Sequence, residues 1–557
     1  MKKQALSLFL AGALALSLFG CSAQPAAESA PQSSPAETAG SSSAGVVEEL
    51  HLGTTAANDT FTTFVESGAF GKMCYNSFVT APFWQTGPNG EVEPFLVTDW
   101  TVSEDSTTIT CDLALDQGIT WHDGEPLTMD DVLFTFDYNI NVRKSSYGSY
   151  VDHAEQVDED TIKVVLKEPG AYQWLKLVAG YFYVQPKHIW ENIDAPKDYR
   201  GEDAVIGCGP YKLVQVDEEA QTMHYEAVGE TYMGRALTVR SVTVRSYDSQ
   251  DALVMALRTG EVDAMYDYSN PISPTMLPSI SGVDGVDPGR GMNMGLFEIL
   301  FGFQKQPTDD LEFRRAVRYA LNYELLATTI GGEDGQVPGE GIISPAGIGY
   351  DDSLPKLVQD QEQAKAILEA AGYVDTDGDG WRERPDGTPM DVLVTPQYNA
   401  TKAALYQRIA EIIVTNLGEV GVKCTLDEES IRNSDHEQQL RDDGAYEIYI
   451  CYATQGVSFY KTPFLYMFND DLSMWGTCDL EDFDQAYNDM LNAQGDEDYV
   501  AKVKELQRIA SEEVIGIALC WDTAYYPYRT DKYEGWTNFP GWGVINCETW
   551  YNLHPIG

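Results

Sequence analysis

Basic residues are scarce in this chain. Its 557 residues include 36 Lys and Arg against 87 Asp and Glu, which gives a formal net charge of −51. Proteins that bind nucleic acids or anionic lipid headgroups through charge need clustered cationic side chains. The composition therefore argues against both of these partners, and it is typical of a protein that stays soluble outside the cell.

Motifs of common catalytic sites are also missing. The seven histidines are scattered without an HExxH pattern, and the sequence contains no GxSxG elbow and no P-loop. His122-Asp123-Gly124 has no nucleophile motif beside it and is typical of a turn. The sequence therefore predicts a protein that is not an enzyme. One alternative of another class stays open, a secreted glycoside hydrolase, because two catalytic carboxylates among 87 acids are recognised only by their separation in space.

The one long apolar run lies at the N-terminus. Lys2 and Lys3 precede apolar residues 5–19, a run too short to span a bilayer comfortably and typical of a signal peptide. Leu18-Phe19-Gly20-Cys21 is similar to a bacterial lipobox, in which the cysteine carries lipid and becomes the first mature residue. We therefore predict a signal peptide at 1–20, then lipidated Cys21 and a Ser-, Pro- and Ala-rich linker over 21–48. A plain secretory signal with an incidental cysteine is the alternative.

Eight further cysteines carry no pairing pattern. None of them forms a CxxC pair, so the sequence gives little support for a zinc or redox site. In an exported protein they can form disulfides, or they can stay free as small buried hydrophobes, and the sequence leaves both open.

Strand and helix patterns alternate along the rest of the chain. Residues 108–115 alternate apolar and polar side chains, which predicts a strand, and Thr128 followed by Asp131 predicts a capping box that opens a helix. Apolar spacing predicts further helices around 364–371, ended by Gly372, and around 405–417. Three arginines of a predicted amphipathic helix are expected on a solvated or ion-paired face: Arg314, Arg315 and Arg318. The pattern predicts an α/β or α+β protein with more than one lobe.

Six short motifs occur in a fixed order. They are Pro94-Phe95-Leu96 with Trp100, Gly118-Ile119-Thr120-Trp121-His122-Asp123-Gly124-Glu125-Pro126-Leu127, Gly207-Cys208-Gly209-Pro210-Tyr211, Ala256-Leu257-Arg258-Thr259-Gly260-Glu261-Val262-Asp263, Phe313-Arg314-Arg315-Ala316-Val317-Arg318-Tyr319-Ala320-Leu321-Asn322, and Ala370-Ala371-Gly372-Tyr373 with Asp375–Gly380. In this order they resemble the family 5 extracytoplasmic solute-binding proteins of peptide, nickel and oligosaccharide ABC transporters. Cys208 stands where the family usually has Thr, and Asn322 stands where Asp is common.

This resemblance implies the fold and the role. We expect an α/β, two-lobed periplasmic-binding-protein-like fold of type II, enlarged with an extra subdomain and with a hinge between the lobes. The expected bounds are 49–268 for lobe I with the extra subdomain, 269–500 for lobe II, and 501–557 for a return to lobe I. The implied role is to capture a small solute between the lobes and deliver it to ABC permease subunits. Such a protein would be a monomer without a cofactor, held at the cell membrane by its lipid.

The resemblance also implies where a solute binds. The candidate ligand-binding residues lie in three segments: Asn58, Thr60 and Phe61; Asn293 and Phe297; Tyr452, Gln455, Ser458 and Tyr460. Peptide-binding relatives have an Asp in the third segment that pairs with the α-amine of the peptide. Residues 448–469 contain neither Asp nor Glu, so a peptide needs another anchor. We expect an oligopeptide or dipeptide, with a nickel chelate, an oligosaccharide or another small solute as alternatives.

One acidic loop resembles a calcium site. Asp375, Asp377, Asp379, Gly380 and Asp386 occupy positions 1, 3, 5, 6 and 12 of an EF-hand loop, although position 12 is usually Glu. A helix is predicted before the loop and a strand after it, unlike the two helices of an EF-hand. A structural calcium ion and a loop stabilised by its own Asx turns are the two interpretations.

Overall fold

In a computed structural model of the chain, the described residues are 45–557 apart from 59, 66–67, 76, 89, 267–270, 273, 346, 401, 455–477 and 540–541. The predicted signal peptide, Cys21 and most of the predicted linker lie outside these residues. No helix in the described part of the chain is long and apolar enough to cross a membrane.

Twenty-two strands lie in the described residues. In chain order they are β1 (Leu50–Thr54), β2 (Trp84–Thr86), β3 (Val92–Pro94), β4 (Val97–Val102), β5 (Thr108–Leu113), β6 (Val151–Gln156), β7 (Thr161–Leu166), β8 (Tyr211–Asp217), β9 (Thr222–Ala227), β10 (Thr231–Tyr232), β11 (Arg235–Ala236), β12 (Ser241–Ser246), β13 (Ala264–Met265), β14 (Val286–Asp287), β15 (Arg290–Phe301), β16 (Val392–Pro396), β17 (Cys424–Leu426), β18 (Ile448–Thr454), β19 (Gly516–Tyr525), β20 (Tyr528–Arg529), β21 (Tyr533–Glu534) and β22 (His554–Pro555).

Fourteen α-helices lie between these strands within the same residues. They are α1 (Ala69–Met73), α2 (Met129–Asp137), α3 (Ser146–Ser149), α4 (Ala171–Val178), α5 (Lys187–Trp190), α6 (Gln250–Thr259), α7 (Leu311–Ala320), α8 (Tyr323–Gly331), α9 (Gln361–Ala370), α10 (Ala403–Glu419), α11 (Ser434–Asp442), α12 (Glu481–Leu491), α13 (Asp496–Glu512) and α14 (Thr549–Asn552).

Three large sheets organise the described part of the chain. A mixed seven-stranded sheet has the order β14-β20-β13-β1-β12-β9-β8, and a mixed five-stranded sheet has the order β17-β16-β18-β15-β19. A four-stranded antiparallel sheet, β4-β5-β7-β6, lies in sequence between β1 and β8. Each sheet carries its own buried apolar cluster, and Phe95 and Met233 pack against the clusters of both the four-stranded and the seven-stranded sheets. We call the two sheets joined in this way lobe I and the five-stranded sheet with its helices lobe II.

Within the described residues, the chain passes between the lobes at two adjacent points. β14 pairs with β20 in the seven-stranded sheet, and β15 then runs in the five-stranded sheet. β19 stays paired with β15 as far as Tyr525, and β20 then lies in the seven-stranded sheet. Tyr526 N donates to Gly289 O at 3.0 Å and ties the two crossings together. The long β15–β19 pairing could not be read from local periodicity, which does not reveal strand partners.

The local predictions are confirmed where the pattern was strong. Strand β5 buries Ile109, Cys111 and Leu113. Helix α2 starts after Thr128, whose N and Oγ1 both donate to the Asp131 carboxylate, at 2.9 and 2.8 Å. Helices α9 and α10 cover the two other predicted helical segments.

The prediction for Arg314 is wrong. The residue is 2 % exposed, and its guanidinium donates to four backbone carbonyls: those of Thr308, Asp309, Glu513 and Val514. It also lies 4.2 Å from the ring centre of Phe303. The carbonyls that accept from it come from the loop before α7 and from the end of α13, which only the tertiary fold brings together. Arg315 and Arg318 do form the expected ion pairs, with Glu312 and Glu340.

Candidate functional site

Two predicted ligand residues meet in lobe II. Phe297 on β15 and Tyr452 on β18 are directly opposed across an antiparallel strand pair, and their ring centroids are 4.9 Å apart. Phe297 is 1 % exposed, whereas Tyr452 is half-buried. Because directly opposed residues lie on one face of a sheet, Phe297 forms a base against which Tyr452 is held.

A lysine that the sequence analysis missed completes this cluster. Lys402, at the residue before α10, places Nζ 4.5 Å from the ring centre of Tyr452 and 5.4 Å from that of Phe297. Gln397 Oε1 accepts from Tyr406 Oη at 2.8 Å and from Tyr452 N at 3.0 Å, which fixes the aromatic group around the lysine. The cluster of Phe297, Gln397, Lys402, Tyr406 and Tyr452 therefore combines flat apolar surface with one positive charge.

The other predicted residues of the described part lie in lobe I, after β1. Asn58 is 9 % exposed, and neither its Oδ1 nor its Nδ2 has a hydrogen-bond partner among the described residues. Thr60 and Phe61 are half-buried, and the Phe61 ring lies 6.1 Å from that of Phe70. A buried amide without partners costs free energy, so the Asn58 side chain is a suitable group to bond a ligand.

Four predicted ligand residues lie wholly or partly outside the described part of the chain. Asn293 lies in β15, but its side chain is outside the described part of the chain. Gln455, Ser458 and Tyr460 lie outside the described residues altogether.

A second aromatic group lies in lobe I near the crossings. The rings of Tyr75, Tyr181 and Trp542 are mutually close, with centroid distances of 5.4, 5.6 and 6.2 Å. Gly543, next to Trp542, packs closely against the ring of Tyr526 in the second crossing. These residues come from three distant parts of the sequence, and no local pattern marks them as a group.

One buried acid lies directly behind the lobe II cluster. Glu298 is fully buried beside Cys451, whose Sγ donates to Oε1 at 3.9 Å, and its Oε2 has no partner among the described residues. Burial raises the pKa of Glu298 to about 8. The carboxyl is therefore largely protonated at neutral pH and supplies no negative charge for a ligand amine.

The His122 motif has a structural role. His122 Nε2 lies 3.0 Å from Gly209 O, and His122 N donates to Gly207 O at 2.9 Å, so the turn is joined to the Gly-Cys-Gly-Pro motif. Burial lowers the pKa of His122 to about 4, against a smaller opposite effect of the Gly209 carbonyl. A Cβ on Gly209 would overlap the Phe78 carbonyl, which explains the glycine there. Both motifs serve to join distant segments of lobe I.

The acidic loop brings four carboxylates together. Asp375, Asp377, Asp379 and Glu383 can place one oxygen each within 4.8 Å of the others. Asp386 instead accepts from Thr388 N and Oγ1, at 2.9 and 2.7 Å. Backbone N–H groups of the loop also bond the first three aspartates, as Asx turns do. Calcium binding stays a prediction. The fourth carboxylate of the group is that of Glu383, whereas the EF-hand spacing predicts Asp386 as the last ligand.

The cysteines of the described chain are all free thiols. Seven are buried and Cys424 is half-buried. Burial raises the pKa of seven of these thiols above the ordinary value, as for Cys478, whose pKa is about 12. They act as small apolar side chains of the cores.

Comparisons with known proteins agree with this architecture. The model of the family described as bacterial extracellular solute-binding proteins, family 5 Middle, matches residues 91–474. The dipeptide-binding protein of Escherichia coli (strain K12) is 26% identical over 391 residues, which are 66% of this chain and 68% of that protein. The nickel-binding periplasmic protein of the same organism is 24% identical over 366 residues, 64% of this chain and 66% of that protein.

Solved structures share the fold over nearly the whole chain. The substrate-binding protein CtaP of an ABC transporter from Listeria monocytogenes has a TM-score of 0.74 at 20% identity, covering 92% of this chain and 99% of that one. The oligopeptide-binding protein AppA from Bacillus subtilis, in complex with a nonapeptide, has a TM-score of 0.66 at 17% identity, covering 92% and 100%. The predicted α/β, two-lobed periplasmic-binding-protein fold is confirmed.

Proposed function

The chain belongs to the family 5 bacterial extracellular solute-binding proteins, and from this premise we propose that it captures a peptide between its lobes and delivers it to the permease of an ABC importer. Its action involves no bond making. The mature protein is a monomer, held at the outer face of the cell membrane by lipid on Cys21. The boundary between the lobes lies at the two crossings, around residues 288–289 and 526–527. The sheet pairings support this boundary, because β14 and β20 lie in the seven-stranded sheet and β15 and β19 lie in the five-stranded sheet.

The observation that carries the peptide proposal is Lys402. Its ammonium lies over Tyr452 and Phe297 in lobe II, where it can bond the C-terminal carboxylate of a peptide. A charge-assisted hydrogen bond shielded from water is among the stronger contacts that a binding site can make. Peptide-binding relatives hold the α-amine of the peptide with an acid, and residues 448–469 supply none. The contact with Lys402 anchors the peptide by its C-terminal carboxylate instead. The amide of Asn58 in lobe I is available for the peptide backbone.

Closure follows from the position of the crossings. A solute that contacts both lobes gains those contacts only when the lobes meet, so it shifts the population from open to closed. The permease can then distinguish the liganded form by its shape.

The decisive experiment compares peptides with free and with amidated C-termini. In a thermal-shift assay of the mature, untethered protein, a ligand at 100 times its Kd adds about 2.7 kcal/mol of stability. We expect free peptides to raise Tm and their amidated forms to bind about 10- to 100-fold more weakly, the effect of losing one hydrogen bond to a charged group. Lys402→Met should abolish the difference between the two peptide forms.

A matched control and two further solutes complete the design. Lys423→Met removes a lobe II lysine that pairs with Asp391 at the half-exposed strand edge, and it should leave the peptide response unchanged. A rise in Tm with nickel and histidine or with an oligosaccharide, but with none of the peptides, would refute a peptide as the solute. The role as a solute-binding protein would still hold. Turnover of a glycoside would refute the binding role itself.

A further inference from the structure

Lobe I and lobe II also touch away from the candidate site. Three side chains of α4, on the four-stranded side of lobe I, meet the end of α12 and the start of α13 in lobe II. The rings of Tyr172 and Tyr499 are 5.8 Å apart, and Gln173 Nε2 donates to Met490 O at 3.3 Å. Lys176 Nζ lies 3.1 Å from Asp496 Oδ1. We call this set the outer interlobe contact.

Lys176 is held firmly on the lobe I side. Its side chain is 3% exposed, its Nζ also donates to Gly90 O at 3.3 Å, and it lies 5.4 Å from the ring centre of Tyr172. Burial lowers the pKa of Lys176 to about 8, against a smaller opposite effect of Glu91. Asp496, by contrast, is 65% exposed at the first residue of α13. The pair thus joins a buried cation of one lobe to a surface acid of the other.

The contact depends on the relative position of the lobes. Helix α4 belongs to lobe I through Trp174 and Leu175, which are part of the apolar cluster of the four-stranded sheet. Tyr172 of the same helix packs against the lobe II cluster, which includes Tyr499. Within the described residues, the chain connects the two clusters only through the crossings at 288–289 and 526–527. A rotation at the crossings that opens the cleft moves α4 relative to α13. A 3.1 Å ion pair and a 5.8 Å ring contact do not survive a displacement of several ångströms.

We propose that the outer interlobe contact is formed only when the lobes are closed, and that Lys176 and Asp496 are positioning residues that set the closed-to-open ratio without touching the solute. The proposal rests on the solute-capture function proposed above, because it concerns the closure that this function uses. A contact that favours the closed state raises solute affinity by the same factor as it raises that ratio. It also slows solute release.

The test traps the contact without any solute. A water-soluble carbodiimide adds to the exposed Asp496 carboxylate and gives an O-acylisourea. The Lys176 amine attacks its acyl carbon, so an amide bond forms as the C–O bond breaks, and the leaving group departs as a urea that carries the amine proton. We expect mass spectrometry of the digested protein to show the 176–496 cross-link, and small-angle X-ray scattering to give the radius of gyration of the cross-linked and untreated proteins. Asp496→Asn should lose the cross-link and lower the closed-to-open ratio by about two- to fivefold, the range for partly exposed ion pairs.

One control variant and one further variant of the contact itself separate closure from general damage. Glu497→Gln removes the neighbouring exposed acid of the same helical turn and should keep both the cross-link and the radius of gyration of the wild type. Tyr172→Ala should slow the cross-linking, because it removes the ring contact beside Lys176.

The outcomes decide the proposal whether or not a peptide binds. A larger radius of gyration for the untreated protein or for Asp496→Asn than for the cross-linked protein supports it. One common radius for all three forms, or no 176–496 cross-link in the wild type, overturns it. Since no solute is present, a failure of the peptide experiment leaves this result intact.

Discussion

At the scale of single residues, burial decides which charges this protein keeps. Arg314 is buried and donates to four backbone carbonyls, whereas Glu298 is buried with one oxygen that has no partner among the described residues. An uncompensated carboxylate in an apolar core is costly, so the acid keeps its proton. Glu298 directly follows Phe297 in β15, the strand that carries one side of the candidate site.

Glu298→Gln is expected to change how stability depends on pH. Folding raises the pKa of Glu298 to about 8 from its ordinary 4.5. Between these values the folded protein holds a proton that the unfolded chain releases, so this residue lowers stability as pH rises. Relative to Glu298→Gln, the wild type should lose up to about 1.4 kcal/mol per pH unit from pH 5 to pH 8. Urea unfolding at four pH values measures this. Parallel curves would contradict it, and Glu324→Gln, on the exposed start of α8, should run parallel to the wild type.

At the scale of elements, side-chain caps join helices to their neighbours. The Asp131 carboxylate caps α2 through Thr128 and also accepts from Lys187 N, at the start of α5, at 2.9 Å. It is 5 % exposed, so these bonds are largely shielded from water. One residue thus fixes the start of α2 and its packing against α5.

Asp131→Ala should destabilise lobe I by about 2–4 kcal/mol, the sum of a lost helix cap and a lost hydrogen bond to a charged group. Urea unfolding gives the loss, and amide exchange should accelerate over 129–137. The neighbouring Asp130 is exposed and pairs only with the Lys187 side chain in the described structure. Asp130→Ala should therefore cost less than about 1 kcal/mol. Equal losses in the two variants would show that the buried cap is not the cause.

At the scale of the whole molecule, two strand crossings connect the lobes in the part of the chain that the structure describes. Gly289 has φ +59 in the first crossing, and a Cβ there would overlap the carbonyl of Tyr526 in the second. The two crossings are therefore packed backbone to backbone, which suits a hinge that turns as one unit.

Gly289→Ala should force these crossings apart. We expect a loss of about 1–3 kcal/mol in stability from strain and overlap, together with a changed radius of gyration in solution scattering. Gly282→Ala is the matched control, because Gly282 also has positive φ, at +78, but no atom would meet its Cβ within 4 Å. It should cost about 1 kcal/mol and leave the radius unchanged. An unchanged radius in Gly289→Ala would argue against a hinge at this position.

The sequence by itself determined the features that depend on near neighbours. Alternation placed β5, the Thr128–Asp131 spacing placed α2, and Gly372 ended α9, because periodicity and capping involve residues a few positions apart. The ordered motifs identified the family, and with it the two-lobed fold. Phe297 and Tyr452 followed from that resemblance, and the structure brings them into contact.

Only the tertiary structure decided the rest. The position of Lys402 over two rings, the carbonyls around Arg314, the burial of Glu298 beside Cys451 and the contact of Lys176 with Asp496 each join segments that are far apart in the chain. The return of the chain to lobe I was also decided by β15 pairing with β19 across more than two hundred residues. Composition and local pattern say which residues can be buried or charged, but burial and charge pairing arise between partners that folding selects.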